Sequence, residues 1–152
     1  MGYDYQELAG RDELIRNTNT IFIVEDDESN GMLLAELLLR ETTYYPLLLQ
    51  DALHVLQLTR FIKPLLFLLD YYLPGMNGLE LYEQLHAQEE LKDIPAIILS
   101  ASLDDHIDEI KRRGLVAMQK PFDLDEFLMT IENAVAQSPQ RQAWCDTPRL
   151  LS

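Results

Sequence analysis

Four carboxylates stand side by side directly after the apolar segment IFIV, at Glu25, Asp26, Asp27 and Glu28. Like charges about 4 Å apart repel each other by about 4 kcal/mol where the effective dielectric constant is about 20, so this clustering needs a physical cause. One explanation is that the later acids cap the following helix and are stabilised by its dipole. The other is that two of the carboxylates bind a divalent cation, which converts the repulsion into coordination. The segment by itself does not decide between these explanations.

Three further polar residues stand at the ends of other short apolar runs. Asp70 ends PLLFLLD, Ser100 ends IPAIILS, and Lys120 follows LVAMQ. Together with the first acids, these side chains could support phosphoryl transfer. Carboxylates are ligands that Mg²⁺ prefers, an ionised aspartate is a nucleophile, and an ammonium and a hydroxyl can bind phosphoryl oxygens. This chemistry requires a fold that brings the four segments together.

The pattern of apolar residues predicts such a fold. Five short apolar runs, of which TIFIV at Thr20 to Val24 is the first, are typical of strands buried on both faces. A segment with apolar residues at helical spacing follows each run. Strands that alternate with helices through short connections predict a parallel sheet with helices on both faces, a doubly wound α/β domain. The predicted strands are TIFIV, YYPLLLQ, PLLFLLD, IPAIILS and LVAMQ, and the predicted helices are SNGMLLAELLLRE, DALHVLQLTRFI, GLELYEQLHAQ, LDDHIDEIKRRG and DLDEFLMTIENAVAQ.

Several residues mark the ends and the places of these elements. Ser29 is predicted to be the N-cap of the first helix, and Asp51 to open the second. Gly114 is predicted to close the fourth helix in the C′ position. Pro46 cannot donate a ladder hydrogen bond, so the second strand is predicted at an edge of the sheet.

Four of the predicted strands end in, or are directly followed by, the polar residues that could take part in this chemistry. In open α/β sheets, ligands bind beyond the carboxyl ends of the strands. Glu25 and Asp26 follow the first strand, Asp70 ends the third, Ser100 ends the fourth and Lys120 follows the fifth. We therefore expect these side chains to meet at one edge of the sheet and to form a site for Mg²⁺ and a phosphoryl group.

Four motifs, IFIVEDD, LLFLLDYYLPGMNGLEL, AIILSAS and QKPFDLDEF, stand in this order in the chain. They resemble the signature of the response regulator receiver domain, the phospho-accepting module of two-component signalling in the CheY-like superfamily. The resemblance covers about Thr20 to Ala136. It implies a flavodoxin-like (βα)5 fold with strand order 2-1-3-4-5, which takes a phosphoryl group from the phosphohistidine of a histidine kinase onto one aspartate.

The resemblance assigns roles to the acids. Asp70 is at the position of the phospho-acceptor, and Glu25 and Asp26 are at those of the acidic pair. Asp26 is expected to bind Mg²⁺ directly and Glu25 through water. The backbone carbonyl of Tyr72 is expected to be a further ligand, and Asp70 to complete the metal site.

The resemblance also covers the last two strands, with one departure. Ser100 is at the Thr/Ser switch position and Lys120 at the lysine position, and Pro121 is the usual cis-peptide candidate. Ala117 stands where the family usually has a tyrosine or phenylalanine switch residue, and the segment from Gly114 to Lys120 is about one residue shorter than usual. Aromatic coupling is therefore not expected to report phosphorylation in this chain.

Composition bounds the remaining choices. The chain has 152 residues, of which 47% are hydrophobic and 25% charged, as in an ordinary globular protein. The predicted receiver domain spans residues 20–137, between an N-terminal extension at 1–19 and a C-terminal tail at 138–152, and no output domain is predicted.

Several function classes are excluded or disfavoured. A net charge of −14 argues against direct binding of nucleic acid, because phosphate contacts need clustered lysines and arginines. Cys145 is the one cysteine, which excludes an internal disulfide. No secretory signal or apolar run of about 20 residues is found, so a cytoplasmic location without membrane contact is predicted. His54, His86 and His106 have no ligand spacing and are interpreted as surface or boundary residues.

Three alternative site chemistries are weighed. DDESNG nearly fits an EF-hand loop, but Leu37 stands where a bidentate glutamate is needed. An aspartyl-phosphate phosphatase or phosphomutase would typically need a second carboxylate two residues after the nucleophile, and Tyr72 is there. Asp27 could replace Glu25 or Asp26 in the acidic pair.

The sequence thus predicts a stand-alone receiver that signals through protein contacts and catalyses only its own phosphorylation and dephosphorylation. The predicted partners are a sensor histidine kinase or a histidine phosphotransfer protein, within a phosphorelay, and a downstream protein. Composition does not decide whether the flanking segments mediate the formation of a homodimer. The competing hypothesis is a binding module of the same fold that works without phosphorylation.

Overall fold

Uninterrupted apolar runs form the middle of the sheet. In the computed structural model, which describes residues 19–138, β1 (Thr20–Val24), β3 (Leu66–Asp70) and β4 (Ala96–Ser100) are buried along their whole length. The outer strands, β2 (Tyr45–Leu49) and β5 (Val116–Gln119), are partly exposed. All pairs are parallel and the order is β2-β1-β3-β4-β5, so the predicted flavodoxin-like fold and the edge position of β2 are confirmed.

Consecutive strand residues point to opposite faces of the sheet, and helices cover both faces. Phe22 and Phe67 belong to the core on one face, whereas Ile23 and Leu68 belong to the core on the other. The helices are α1 (Glu28–Glu41), α2 (Ala52–Leu58), α3 (Gly78–His86), α4 (Ile107–Arg112) and α5 (Leu124–Val135). Apolar residues of α2, α3 and α4 pack on the first face, and those of α1 and α5 pack on the second.

Two predictions of helix boundaries are wrong. Asp27, not Ser29, is the N-cap of α1: its backbone is extended and its carboxylate accepts a hydrogen bond from the Asn30 amide at 3.0 Å. The predicted fourth helix is not continuous. A 3₁₀ turn (Leu103–Asp105) comes first, and His106, with φ −128° and ψ 0°, interrupts the helical backbone before α4.

Two other boundary predictions are confirmed. Asp51 is the N-cap of α2, and its carboxylate accepts a hydrogen bond from the His54 amide at 2.9 Å. Gly114 follows the C-cap of α4 with a φ of +69°, in the left-handed region where a residue without Cβ is favoured. This glycine turns the chain from α4 into β5.

The strand register brings the polar ends of the strands to one edge. Asp70 lies opposite Leu99 of β4, and Ser100 lies opposite Gln119 of β5. Because all strands are parallel, residues that follow β1 and β5 emerge at this same edge. The sheet therefore gathers the residues singled out in the sequence.

The described range limits two other predictions. Most of the predicted N-terminal extension and C-terminal tail, including Cys145, lies outside residues 19–138. Within that range, no helix has the length and apolar character needed to cross a membrane.

Candidate functional site

Asp70 occupies the centre of the site. It is the last residue of β3, and only 7% of its surface is exposed. Gly78, the first residue of α3, packs against its backbone, where a Cβ would lie 2.5 Å from the Asp70 carbonyl oxygen. The Gly78 amide also donates a hydrogen bond to the Tyr71 carbonyl at 2.8 Å. The absence of a side chain at residue 78 thus allows α3 to close the loop that follows Asp70.

Lys120 joins two buried acids. Its Nζ donates to Glu25 Oε2 at 2.9 Å and to Asp70 Oδ1 at 3.2 Å. Glu25 is only 2% exposed, and its other carboxylate oxygen accepts the Asp27 amide hydrogen at 3.2 Å. The Lys120 backbone amide donates to the Ser100 carbonyl at 2.8 Å, which fixes the start of the side chain next to β4. These contacts hold an ammonium group between the carboxylate that ends β3 and the one that directly follows β1.

Glu25, Asp26 and Asp70 form an acidic cluster. One carboxylate oxygen of each lies within 4.8 Å of the others, and Asp26 is the exposed member. Asp27 is not a member, because its carboxylate caps α1. Among the four consecutive acids, Asp27 therefore caps a helix, as the first explanation requires, while Glu25 and Asp26 lie close to Asp70.

The environment of Asp70 favours its protonated form. Burial raises the pKa of Asp70 from 3.8 to about 6; the Lys120 ammonium opposes this rise, and the negative charge of Glu25 adds to it. Burial alone would lower the pKa of Lys120, but its hydrogen bond to Glu25 and the charge of Asp70 raise it above the ordinary value. The Lys120 ammonium therefore stays charged. The acidic cluster contains three carboxyl groups, and this one ammonium contacts two of them.

The acidic cluster fits a hard divalent cation. Its three oxygen donors are close enough to share one ion, and Mg²⁺ is bound by one or two carboxylates together with water. A bound cation would also offset the negative charge of Glu25, which adds to the effect of burial on the pKa of Asp70. The donor set therefore has the chemistry of a magnesium site.

Ser100 lies at the end of β4 and is fully buried. Its Oγ accepts a hydrogen bond from the Ser102 amide at 3.0 Å, so the hydroxyl is tied to the loop that follows it. Ala117 lies in β5 opposite Ile98 and packs against the core beneath α4. The peptide bond between Lys120 and Pro121 is cis.

Tyr72 and His106 form a contact that sequence reasoning missed. The Tyr72 side chain is 53% exposed, and its hydroxyl lies 2.9 Å from His106 Nε2. The His106 ring stacks on Tyr71, with ring centroids 3.6 Å apart and an interplanar angle of 13°. His106 is a boundary residue, as predicted. The only sequence signal for its ring contacts was the pair of consecutive tyrosines, Tyr71 and Tyr72. His54 and His86 are exposed on α2 and α3.

Comparisons with known proteins agree with this geometry. The family described as "Response regulator receiver domain" matches residues 21–132. The response regulator DivK of Brucella ovis is 33% identical over 118 residues, which cover 76% of this chain and 95% of DivK. The hybrid signal transduction histidine kinase D of Dictyostelium discoideum is 29% identical over 132 residues; these cover 86% of this chain but span only 8% of that protein.

A solved structure shows the same architecture. The receiver domain of the sensor histidine kinase PA1611 from Pseudomonas aeruginosa superimposes with a TM-score of 0.70 at 22% identity, over 78% of this chain and 98% of that one. That structure is described as having a magnesium ion coordinated in its active site cleft. At this level of identity the likeness establishes the fold.

Proposed function

The chain belongs to the response regulator receiver domain family of two-component signalling, and from this premise we propose that it accepts a phosphoryl group on Asp70. The donor is a sensor histidine kinase or a histidine phosphotransfer protein, and the output is a contact with a downstream protein. One observation carries the proposal: the acidic cluster of Glu25, Asp26 and Asp70 has the Lys120 ammonium 3.2 Å from Asp70.

In the proposed reaction, Asp70 is the nucleophile. One of its carboxylate oxygens forms a bond to the phosphorus of a phosphohistidine, the phosphorus–nitrogen bond breaks, and its electron pair stays on the imidazole. The burial of Asp70 limits access to its carboxylate, so the donor side chain has to enter at the open carboxyl edge of the sheet. The step needs Asp70 ionised, and its raised pKa makes this depend on nearby positive charge.

The residues that would hold Mg²⁺ are Asp26, Asp70, the backbone carbonyl of Tyr72 and, through water, Glu25. When bound, the ion supplies positive charge opposite the phosphoryl oxygens and the Asp70 carboxylate. Lys120, held between Glu25 and Asp70, is placed to donate a hydrogen bond to a phosphoryl oxygen once Asp70 carries the group.

Ser100 is proposed to donate its hydroxyl hydrogen to another phosphoryl oxygen. Its Oγ already accepts from the Ser102 amide, so a turn of Ser100 toward Asp70 would move the loop beyond β4. Phosphorylation would then shift the population between two arrangements of this loop, and the partner would read the difference. In this role the protein is a switch that catalyses its own phosphorylation and hydrolysis, not a turnover enzyme.

The match covers 95% of the length of DivK, which is itself a response regulator. This coverage supports a receiver that acts through contacts of its own surface. The alternative, a binding module that is not phosphorylated, is favoured by Ala117 in place of the family's aromatic residue. The cytoplasmic location inferred from the sequence stays a prediction.

Intact-mass measurement after incubation with acetyl phosphate tests the proposal. We expect the wild-type protein to gain one phosphoryl group when Mg²⁺ is present and none with excess EDTA. Asp70→Asn should gain none, whereas Asp93→Asn, which changes an exposed aspartate in the loop before β4, should behave as wild type. Labelling that persists in Asp70→Asn would refute the assignment of the acceptor, and no labelling under any condition would favour the binding module.

A further inference from the structure

Gln119 makes more contacts than its exposed position at the end of β5 suggests. Its side-chain amide nitrogen donates to the Ala101 carbonyl at 2.7 Å and to the Lys120 carbonyl at 3.0 Å, and its amide oxygen accepts from the Leu103 amide at 3.1 Å. The amide therefore bridges the end of β5 and residues 101–106, which connect β4 to α4 and are called the β4–α4 segment below.

The β4–α4 segment is also held at its other end. His106 stacks on Tyr71, and its Nε2 lies 2.9 Å from the Tyr72 hydroxyl in the loop that follows Asp70. The segment is thus attached to the last residue of β5 by hydrogen bonds and to the loop after β3 by ring contacts. Asp70 directly precedes Tyr71, which makes the ring contact. Lys120 directly follows Gln119, which makes the hydrogen bonds.

Ser100 connects this segment to the chemistry. Its Oγ accepts the Ser102 amide hydrogen, and Ser102 lies between the two residues that Gln119 binds, Ala101 and Leu103. A Ser100 hydroxyl that turns toward Asp70 leaves the Ser102 amide and displaces the backbone on either side of it. That displacement would stretch or break the hydrogen bonds that Gln119 makes to Ala101 and Leu103.

We propose that Gln119 is a positioning residue, whose side-chain amide holds the β4–α4 segment in the unphosphorylated arrangement and so sets how readily Ser100 reaches the phosphoryl group. The inference rests on the proposed function of Asp70 and extends it to a residue outside the acidic cluster. A coupling through hydrogen bonds would also suit a chain with Ala117 in β5, because an alanine at this position has no ring to follow the movement of the segment.

Gln119→Leu tests this role, because it keeps the approximate size of the side chain and removes all three hydrogen bonds. We expect the Leu103 amide to lose protection from hydrogen exchange in the unphosphorylated protein. We also expect Mg²⁺-dependent binding of beryllofluoride, a phosphoryl mimic, to tighten by about fivefold, the equivalent of one net hydrogen bond.

The controls separate positioning from general stability. Gln57→Leu, on an exposed face of α2, should change neither Leu103 exchange nor beryllofluoride binding. In a Ser100→Ala background, Gln119→Leu should no longer tighten binding, since the group through which it acts is gone. Unchanged or weaker binding in Gln119→Leu, or an equal gain in the Ser100→Ala background, would overturn the inference. If wild type and all variants bind no beryllofluoride and take no phosphoryl group, the proposed function fails, and the exchange of Leu103 still shows whether Gln119 holds the segment.

Discussion

Glu25 and Asp70, on the β1–β3 side of the site, are held quite differently from Ser100, on the β4–β5 side. The two acids are buried and share the Lys120 ammonium at 2.9 and 3.2 Å. Ser100 is buried as well, but its hydroxyl is tied by one neutral hydrogen bond to the β4–α4 segment. Removing one partner from a buried charge pair costs several kcal/mol, whereas a typical neutral hydrogen bond contributes about 1 kcal/mol.

This difference implies two roles at the edge of the sheet: the charged contacts position the reacting groups, and the neutral contacts can change. We expect the charged side, formed by Glu25, Asp70 and the Lys120 ammonium, to keep the reacting groups in place with or without a phosphoryl group. The neutral side has contacts weak enough to exchange within a few kcal/mol, which is the range of equilibria that ligands and modifications can shift. Three changes, described from the largest expected effect to the smallest, test whether the two sides differ in this way.

Lys120→Met should have the largest effect, because it removes the cation that the charged side depends on. Glu25 and Asp70 would be left buried without a positively charged partner, and we expect a loss of about 2–4 kcal/mol in the free energy of unfolding. Labelling by acetyl phosphate should fall by about 100-fold or more, since a positive group aimed at the phosphoryl oxygens is lost. Urea denaturation and intact mass measure the two effects.

Lys92→Met is the matched control for this change. Lys92 is exposed and pairs with the exposed Glu89 at 2.7 Å, an arrangement that contributes less than about 1 kcal/mol. If Lys120→Met were no more destabilising than Lys92→Met, the charged side would be no more firmly held than the surface, and the contrast between the two sides would fail.

The sequence predicted which residues meet at the edge of the sheet far better than it predicted the side-chain contacts around them. Asp70 and Lys120 could be placed at one edge because each ends or follows an apolar run, and parallel strands bring such ends together. The contacts of Gln119 and His106 could not be predicted, because they join residues 16–18 and 34 positions apart through particular side-chain rotamers. Backbone periodicity carries no information about such rotamers.

The errors at helix boundaries have the same origin. Ser29 and Asp27 are both good N-cap residues by type, and only the extended backbone at Asp27 decides between them. The interruption at His106 likewise depends on one residue with non-helical backbone angles in an otherwise helical pattern. Local choices of this kind depend on tertiary contacts, and for His106 the ring stack on Tyr71 is one such contact.

The second-largest of the three effects is expected in the pH dependence of the free energy of unfolding. The pKa of Asp70 in the folded protein, about 6, lies above its ordinary value of 3.8, so the folded state binds the proton more tightly than the unfolded state does. The stability that this residue contributes is fully present below about pH 4 and is lost as the pH rises through about 6. With EDTA present, we expect this loss to be about 2–3 kcal/mol between pH 4 and pH 8.

Asp70→Asn isolates that contribution, because the variant cannot ionise at this position. Its free energy of unfolding, subtracted from that of wild type across the same pH range, should remove the titration of all other groups. Added Mg²⁺ should stabilise wild type at pH 8 more than it stabilises the variant. A difference curve that is flat with pH would mean that Asp70 is not held in a desolvated, repulsive environment.

Asp27→Ala should give the smallest effect and the sharpest division among the four consecutive acids. The variant loses the cap of α1, a hydrogen bond to the Asn30 amide at 3.0 Å, and we expect a destabilisation of about 1 kcal/mol by urea denaturation. Its affinity for Mg²⁺, measured by titration calorimetry, should stay close to that of wild type because the carboxylate is not part of the acidic cluster. Asp26→Ala, one residue earlier, should do the opposite: little change in stability, since Asp26 is exposed, and a loss of Mg²⁺ affinity of at least about tenfold. Equal effects of the two substitutions on Mg²⁺ binding would mean that the charged side of the site extends into the helix cap, and the boundary drawn between Asp26 and Asp27 would have to move.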